Sequence, residues 1–395
     1  MTDKGPCDFS NFDHHATNVR VDAETLWSEM RACPGLAKSD KHGSFHLVSR
    51  YEDLKKVLLD YETFSSASGI TLPDQQIRSN HIPPEVDPPL QREYRRILQP
   101  FLTPQKVQER ENDVRALAVE LLENLKNQRE VDFFSTFARP FPVFASLALI
   151  GLPREDGPFI DNVVMRLHQE IAANVRTGAT DALTKYVKDA LNSRQAQEID
   201  PSQDLVCAIA AGSVEGRPLT FDEQVSMLRL LLIGGFDSTS FSIAMAIWQL
   251  AQRPDLQERL RSEPALLDKA SEEFVRLASP ATYLRRTITK PVELSGTQLE
   301  KGDRVLLCFG AANRDEKIFD RPDDAIPDRS PNPHLGFGLG VHRCIGAPFA
   351  KLEIRIALEE TLKRFAGFRL DPNQEIRMSS GGNQGFLNLP LILPQ

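Results

Sequence analysis

The spacing of apolar side chains predicts a mostly helical protein. Residues 23–33 and 51–59 follow a helical pattern, with a short apolar run at Phe45–Val48 that predicts a strand between them. Long helical patterns then fill the middle of the chain, at residues 91–98, 104–126, 141–152, 155–175, 181–195, 221–252 and 254–277. Strand-like pieces return near residues 292–294, 305–308 and 386–392. Without a composition break or repeat, the pattern predicts one α+β domain over residues 1–395, mainly α with small β-sheets.

Composition and charge limit the classes of function. The chain has 47 Lys and Arg against 55 Asp and Glu, a net charge of −8, so nucleic acid is not an expected partner. The cysteines at positions 7, 33, 207, 308 and 344 form no CxxC pair, so neither a disulfide framework nor a zinc site is predicted. The N-terminus is polar and no run approaches about 20 apolar residues, so we expect a cytoplasmic protein without a membrane anchor.

The strongest chemical signal is a glycine-rich decapeptide, residues 337–346, that contains Cys344. A helical pattern follows at residues 347–362, with Pro348 in its first turn, where proline is tolerated. The N–H groups at a helix start stabilise negative charge, so we expect a lowered pKa for the Cys344 thiol and the thiolate form that binds iron. The alternative for a lone cysteine is a buried structural role.

Phe337, Gly340, His342, Cys344 and Gly346 resemble the haem-binding signature of the cytochrome P-450 family. The resemblance extends from about residue 45 to the end of the chain. It implies the family's triangular fold of helices around haem b, with the Cys344 thiolate as axial ligand of the iron. The cofactor-binding residues that it implies in this loop are Phe337, Gly338, His342, Cys344 and Gly346.

Other motifs follow in the family's order. Glu273 and Arg276 stand three residues apart on a predicted helix, and the resemblance implies that they form a buried structural cluster with Arg329. The aromatic and acidic residues usual in the family near Arg329 are replaced by Ala325 and Ile326.

The resemblance also implies partners for the haem propionates. Arg95, Arg286 and His342 fall at positions where the family keeps such cations, which suit carboxylate groups in a partly buried pocket. Gln91 stands where histidine is commoner, and its amide can still donate a hydrogen bond.

Gly234 and Gly235 interrupt an apolar helical pattern, each at a cost of about 1 kcal/mol relative to alanine. This predicts that a group approaches the backbone there. Asp237, Ser238 and Thr239 follow directly, and an acid beside a hydroxyl can deliver protons as a general acid. The alternative is a bent core helix in which these residues satisfy local backbone groups. The segment resembles the family's oxygen-activating helix, but Ser238 replaces the usual threonine, so we expect looser coupling of NADH use to product.

The resemblance implies a monooxygenase that inserts one atom of O₂ into a C–H or C=C bond and releases the other as water. The chain has no flavin or iron–sulfur motif, so we expect electrons from a separate ferredoxin and its NAD(P)H-dependent reductase, docking near Arg95 and Arg343. Two alternatives stay open: a peroxygenase driven by H₂O₂, and a non-catalytic haem sensor or ligand carrier. We expect a monomer.

The substrate is predicted to be a small, largely apolar organic molecule, terpene-like, aromatic or fatty, because ligand pockets are lined mainly by hydrophobic side chains. The pocket wall is expected from the proline-rich segment 66–86, residues 165–175, the glycine-pair segment and residues 282–283. The residues predicted to line it are Ile70, Ile82, Ile233, Phe236, Thr282 and Tyr283.

Overall fold

The computed structural model describes residues 7–16, 23–73, 81–173, 175–195 and 199–394. Helices dominate, as predicted. Their bounds are α1 Ala23–Ala32, α2 Tyr51–Leu59, α3 Leu90–Leu98, α4 Pro104–Gln108, α5 Glu111–Glu123, α6 Pro140–Ile150, α7 Gly157–Ala173, α8 Ala179–Gln195, α9 Leu205–Ala210, α10 Phe221–Gln252, α11 Pro254–Ser262, α12 Leu267–Ala278, α13 Phe309–Ala312 and α14 Ala347–Arg364.

The strands are short and form small sheets. They are β1 Ala37–Ser39, β2 Phe45–Val48, β3 Phe64–Ser65, β4 Glu130–Asp132, β5 Ser213–Val214, β6 Arg217–Pro218, β7 Tyr283–Ile288, β8 Val292–Leu294, β9 Thr297–Leu299, β10 Arg304–Cys308, β11 Arg369–Leu370 and β12 Pro390–Ile392. The largest sheet has the order β1-β2-β10-β7-β3, and a second has the order β11-β12-β4. The pairs β5-β6 and β8-β9 stand apart from these two sheets.

Helix α10 forms the centre of the molecule and packs against α6, α8, α12 and α14. Its start is fixed by a capping box, in which Thr220 and Glu223 each satisfy a backbone N–H of the other. By length and composition α10 could cross a membrane, but 67% of its most apolar window is buried inside the protein. Packing in the core therefore accounts for its apolar sequence.

Two helical predictions and one strand prediction are corrected here. The pattern at 254–277 is not one helix, because Pro264 lacks the N–H that a continuous helix needs, and a 3₁₀ turn, Pro264–Leu266, separates α11 from α12. The pattern at 104–126 likewise splits into α4 and α5. The last strand is confined to β12, shorter than the predicted 386–392.

Candidate active site

The cysteine loop is held tight by its own backbone. The N–H of Cys344 donates to the carbonyl of Phe337 at 2.8 Å. Gly338 and Gly340 have φ angles of 66° and 69°, the left-handed region that favours glycine. A Cβ on Gly340 would also lie 2.6 Å from the Leu58 carbonyl oxygen. The glycines thus let the loop fold against α2 and present Cys344 just before α14.

The side chain of Cys344 lines an internal cavity and is otherwise surrounded by protein. The prediction of a lowered pKa for its thiol was wrong. Burial raises the pKa of the thiol. The N–H groups of Gly346 and Ala347, together with Arg95, act in the opposite direction but are outweighed. A metal ion bound at this sulfur would supply the missing stabilisation of a thiolate, because metal ligation deprotonates a thiol.

The cavity has a volume of about 370 Å³. Its wall joins the cysteine loop, one face of α10, strand β7 and the segment that precedes α3. Apolar side chains supply most of this wall, including Pro83, Leu205, Leu231, Ala281, Leu284 and Phe349. A largely apolar cleft with a few polar groups is typical of a ligand site.

Helix α10 passes the cavity without a break, so the glycine pair does not interrupt it. Gly234, Gly235, Ser238 and Thr239 line the cavity. A Cβ on Gly234 would meet no atom within 4 Å, whereas one on Gly235 would lie 2.8 Å from the Ser146 hydroxyl. Packing therefore explains the glycine at 235, and only the open cavity explains the one at 234.

Asp237 does not line the cavity, although its neighbours on α10 do. Its carboxylate makes a very short ion pair with Arg139, and a second contact of 2.5 Å with Nδ1 of His168 on α7. Burial would raise the pKa of Asp237, but the charges of His168 and Arg139 outweigh burial and hold it well below its usual range. The Ser238 hydroxyl bonds to the Gly234 carbonyl at 3.2 Å.

Two arginines and a histidine face the cavity, and the two arginines lack matching anions among the described residues. Among the residues that the structure describes, neither Arg95 nor Arg286 has a carboxylate at ion-pair distance. Burial lowers the pKa of Arg286 to about 10, and it lowers the pKa of Arg95 and of His342 as well. Nε2 of His342 lies 3.1 Å from the Ser66 hydroxyl and 3.9 Å from Asp87. Buried cations in need of anions fit a group that carries two carboxylates, as haem does with its propionates.

Gln91 lies behind the cysteine loop rather than on the cavity wall. Its amide Nε2 donates to the carbonyl of Val341 at 2.7 Å, while its Oε1 has no partner among the described residues. Gln91 therefore supports the loop that carries Cys344.

Glu273, Arg276 and Arg329 lie together in the core. Glu273 receives hydrogen bonds from Arg276 at 2.8 and 2.9 Å and from Arg329 at 2.9 and 3.0 Å. The side chains of Glu273 and Arg276 are fully buried. This cluster ties α12 to the segment that leads into the cysteine loop.

The six predicted pocket residues do not line this cavity. The Ile70 N–H is held by Glu85, and Ile82 and Phe236 are buried in the main core, against which Ile233 packs. Tyr283 packs in a second core, and Thr282 bonds to the Ser279 carbonyl. Their neighbours Pro83, Leu231, Ala281 and Leu284 take their place on the wall. Residues 74–80, part of the predicted wall segment, lie outside the described residues.

Three residues of the site were not found from the sequence. Arg139 and His168 contact Asp237 but belong to distant elements with no motif of their own. Glu353 of α14 lines the cavity, and burial raises its pKa well above the usual value, which favours the neutral carboxyl. A glutamate on the apolar face of a helix nine residues after Cys344 was the available signal for Glu353.

Comparison with known proteins agrees with this geometry. A family model described as cytochrome P-450 matches residues 157–392. Mycinamicin IV hydroxylase/epoxidase of Micromonospora griseorubida is 32% identical over 88% of this chain and 89% of its own length. Linalool 8-monooxygenase of Pseudomonas putida is 30% identical over 78% of this chain and 76% of its own length.

A solved structure has the same fold. The hydroxylase HmtN, described as involved in himastatin biosynthesis, superposes with a TM-score of 0.84 at 28% identity, over 96% of this chain and 100% of that one. The fold and the site define a haem-thiolate oxidoreductase. The chain belongs to the cytochrome P-450 family, whose haem iron is bound by cysteine, and is a monooxygenase.

Proposed function

We propose that Cys344 binds the haem iron as a thiolate and that the enzyme oxidises a small, largely apolar organic molecule in the cavity beside α10. The observation that supports this most directly is the shared cavity of Cys344 and the glycine pair. Of the cysteines in the described residues, Cys344 is the exposed one, and its side chain opens onto that cavity. When bound, a thiolate-ligated haem promotes cleavage of the O–O bond of dioxygen.

Arg95, Arg286 and His342 hold the haem propionates in this proposal. The unmatched positive charges of the two arginines support the role, because a partner anion there relieves the cost of burying each cation. For His342 the support is its place on the cavity wall. In the same proposal the macrocycle would lie against Phe337, Gly338 and Gly346. On the side of α10, Gly234 and Gly235 would leave room for it.

Asp237 and Ser238 deliver protons to the cavity. The His168 side chain is 27% exposed while that of Asp237 is 7% exposed, so the pair leads from solvent to the interior. The low pKa of Asp237 keeps the shared proton on Nδ1 of His168. The hydroxyl of Ser238, with Thr239 beside it, is the group on the cavity wall that donates a proton into the cavity. Arg139 positions Asp237, and the neutral carboxyl of Glu353 is a second internal proton donor on the cavity wall.

The substrate skeleton is apolar in this proposal, and the polar contacts that orient it are few. The wall of Pro83, Leu205, Leu231 and Ala281 supports this, with Asn383 as a polar exception. One relative is by name an oxygenase of linalool, a small and mainly hydrocarbon molecule.

Electrons reach the site from a separate ferredoxin and its reductase, in the cytoplasm. A groove on the other side of Cys344 supports a docking surface, since Arg343, Lys351 and Arg355 line it. Lys351 and Arg355 have acidic partners, Glu272 and Glu111, whereas Arg343 has none among the residues that the structure describes. Arg343 is therefore the cation that an acidic ferredoxin would meet.

The first test is the absorption difference spectrum of the dithionite-reduced protein with and without carbon monoxide. The wild type is expected to give the strongly red-shifted band of a thiolate trans to carbon monoxide, and Cys344→Ser to lose it. Cys207→Ala is the matched control, because Cys207 is buried in α9. A haem-loaded wild type without that band would overturn the assignment of Cys344.

A turnover assay with a surrogate ferredoxin system and NADH tests the rest of the proposal. Hydroxylated or epoxidised product from small apolar compounds is expected, in proportion to NADH used. Turnover with H₂O₂ and none with NADH would favour the peroxygenase alternative instead.

A further inference from the structure

Three histidines lie together far from the cysteine loop in sequence. His14 and His15 belong to the N-terminal segment, and His42 belongs to a 3₁₀ turn between β1 and β2. Their ring centroids are 4.1 Å apart for His14 and His15, and 5.7 Å from His42 to each of the other two. One nitrogen from each ring lies within 4.8 Å of the other two. We call these three residues the histidine cluster.

Two of the rings are oriented by hydrogen bonds at one nitrogen. Nε2 of His15 lies 2.7 Å from the carbonyl oxygen of Leu72, so this nitrogen carries the proton and donates. Nε2 of His42 lies 2.9 Å from Oδ1 of Asp13. In each ring Nδ1 is then left with the lone pair. Metal-binding histidines have this arrangement, in which the other ring N–H donates to a carbonyl or carboxylate.

The third ring supplies an independent observation. His14 is 2% exposed, and its Nδ1 is buried without a hydrogen-bond partner within the described part of the chain. Nδ1 of His15 is likewise buried without a partner. Buried polar atoms are nearly always paired, so two such atoms in adjacent rings point to a missing ligand.

We propose that His14, His15 and His42 bind a divalent zinc-class metal ion, with Asp13 as an outer carboxylate. Ligand nitrogens around a tetrahedral zinc ion lie about 3.3 Å apart, so the three rings close inward around the ion. The site is separate from the haem cavity and does not depend on the proposed roles of Cys344 or Asp237.

The metal would connect three parts of the chain near the substrate side of the cavity. The His14 carbonyl accepts from the N–H of Gly381 at 2.9 Å, and Asn383, two residues later, lines the cavity. His15 reaches Leu72 in the segment between β3 and α3. Zinc binding is therefore a structural clip that fixes the N-terminal segment to these two segments.

The test uses the full-length, haem-loaded protein without a histidine tag, stripped with a chelator and titrated with zinc chloride in a calorimeter. The wild type is expected to bind one zinc ion and to unfold at a higher temperature when loaded. His15→Gln and His42→Gln are expected to lose that binding. His46→Gln is the matched control, because His46 lies on β2 with an equally unpaired Nδ1 but outside the histidine cluster.

Asp13→Asn keeps all three ligands and separates loss of the site from loss of the fold. It is expected to weaken zinc binding by about tenfold to hundredfold, as loss of an outer partner does, while haem content stays unchanged. Zinc binding equal in the wild type and in His15→Gln or His42→Gln would overturn the proposal, and so would a wild type that binds no zinc.

Discussion

At the scale of single residues, Asp237 contacts two cations from distant parts of the chain. Arg139 precedes α6 and His168 lies on α7, and both charges act on one buried carboxylate. The sequence identified Asp237 and Ser238 through their place after a glycine pair. It could not identify their partners, because only tertiary packing brings these elements together.

The first prediction concerns the pH dependence of stability. Burial alone would lower the pKa of His168, but the charge of Asp237 and the hydrogen bond to it outweigh burial and raise it above 6.5. A raised histidine pKa means that the protonated ring stabilises the fold fully below pH 6.5, and that this contribution is lost as the pH rises through the folded value. His168→Gln should therefore remove a loss of stability that the pair contributes as the pH rises above 6.5.

Urea unfolding at several pH values measures this difference. The quantity compared is the difference between the wild type and His168→Gln at each pH, because other histidines, such as His46, have a pKa that burial lowers and therefore contribute with the opposite sign. Parallel profiles of the two proteins would show that the pair of His168 and Asp237 is not charged.

The second prediction concerns the hydroxyl of Ser238. Ser238→Ala removes it and should lower the product formed per NADH by about tenfold or more, with H₂O₂ released instead, because a positioned proton donor is lost. Ser238→Thr should restore the ratio or improve it. The ratio is measured from NADH absorbance and product in the same reaction; an unchanged ratio in Ser238→Ala would mean that the hydroxyl only satisfies the Gly234 carbonyl.

At the scale of elements, the pattern of apolar residues predicted where α10 begins and ends. Its bounds agree with the pattern at 221–252, because the capping box and Pro254 mark both ends in the sequence. The face that looks into the cavity was not predictable. The cavity is lined by Leu231, Ser238 and Ser242, but not by Ile233 or Phe236. Within each set the residues are spaced so that they share one face of a helix, so their spacing does not tell which face lines the cavity.

For strand β7, too, the sequence does not tell which residues face the cavity. Side chains of a strand alternate between its two sides. Leu284 and Arg286 share the cavity side of the strand, whereas Tyr283 packs in the other core. A prediction shifted by one residue therefore placed Tyr283 on the wrong side. Nothing in the sequence says which side of β7 faces the cavity, because both carry large side chains.

The third prediction separates the two glycines of α10. Gly234→Ala adds a methyl group to the cavity and should stabilise the haem-free protein by up to about 1 kcal/mol, since alanine is the better helix former. The same methyl group should weaken the binding of haem or substrate. Gly235→Ala should instead destabilise the haem-free protein, because its Cβ would meet the Ser146 hydroxyl at 2.8 Å.

Urea unfolding of the haem-free variants and haem titration measure the two effects. Equal changes in stability for both variants would contradict the assignment of separate roles to these glycines.

At the scale of the whole molecule, the cluster of Glu273, Arg276 and Arg329 connects the helical core to the segment before the cysteine loop. Arg276 also donates to the carbonyls of Asn313 and Pro322. A single carboxylate therefore holds together parts of the chain that no local pattern connects. Only the order of motifs along the sequence suggested that these residues meet.

The fourth prediction tests this connection. Glu273→Gln leaves two buried guanidinium groups without their anion and should lower the unfolding free energy by about 3–5 kcal/mol, with reduced haem content. Glu272→Gln is the control, because the side chain of Glu272 is 29% exposed whereas that of Glu273 is fully buried. Its cost should be at most about 1 kcal/mol. Equal losses in urea unfolding of the two variants would contradict a special role for Glu273.

The unmatched cations around the cavity have a consequence for the life of the protein in a cell. Arg95 and Arg286 carry an electrostatic cost that a bound dianion relieves, so the cofactor stabilises the native state by mass action. Each newly made chain would then either bind the porphyrin or be degraded by proteases. The abundance of the enzyme would follow the supply of iron and porphyrin, even at a constant rate of synthesis.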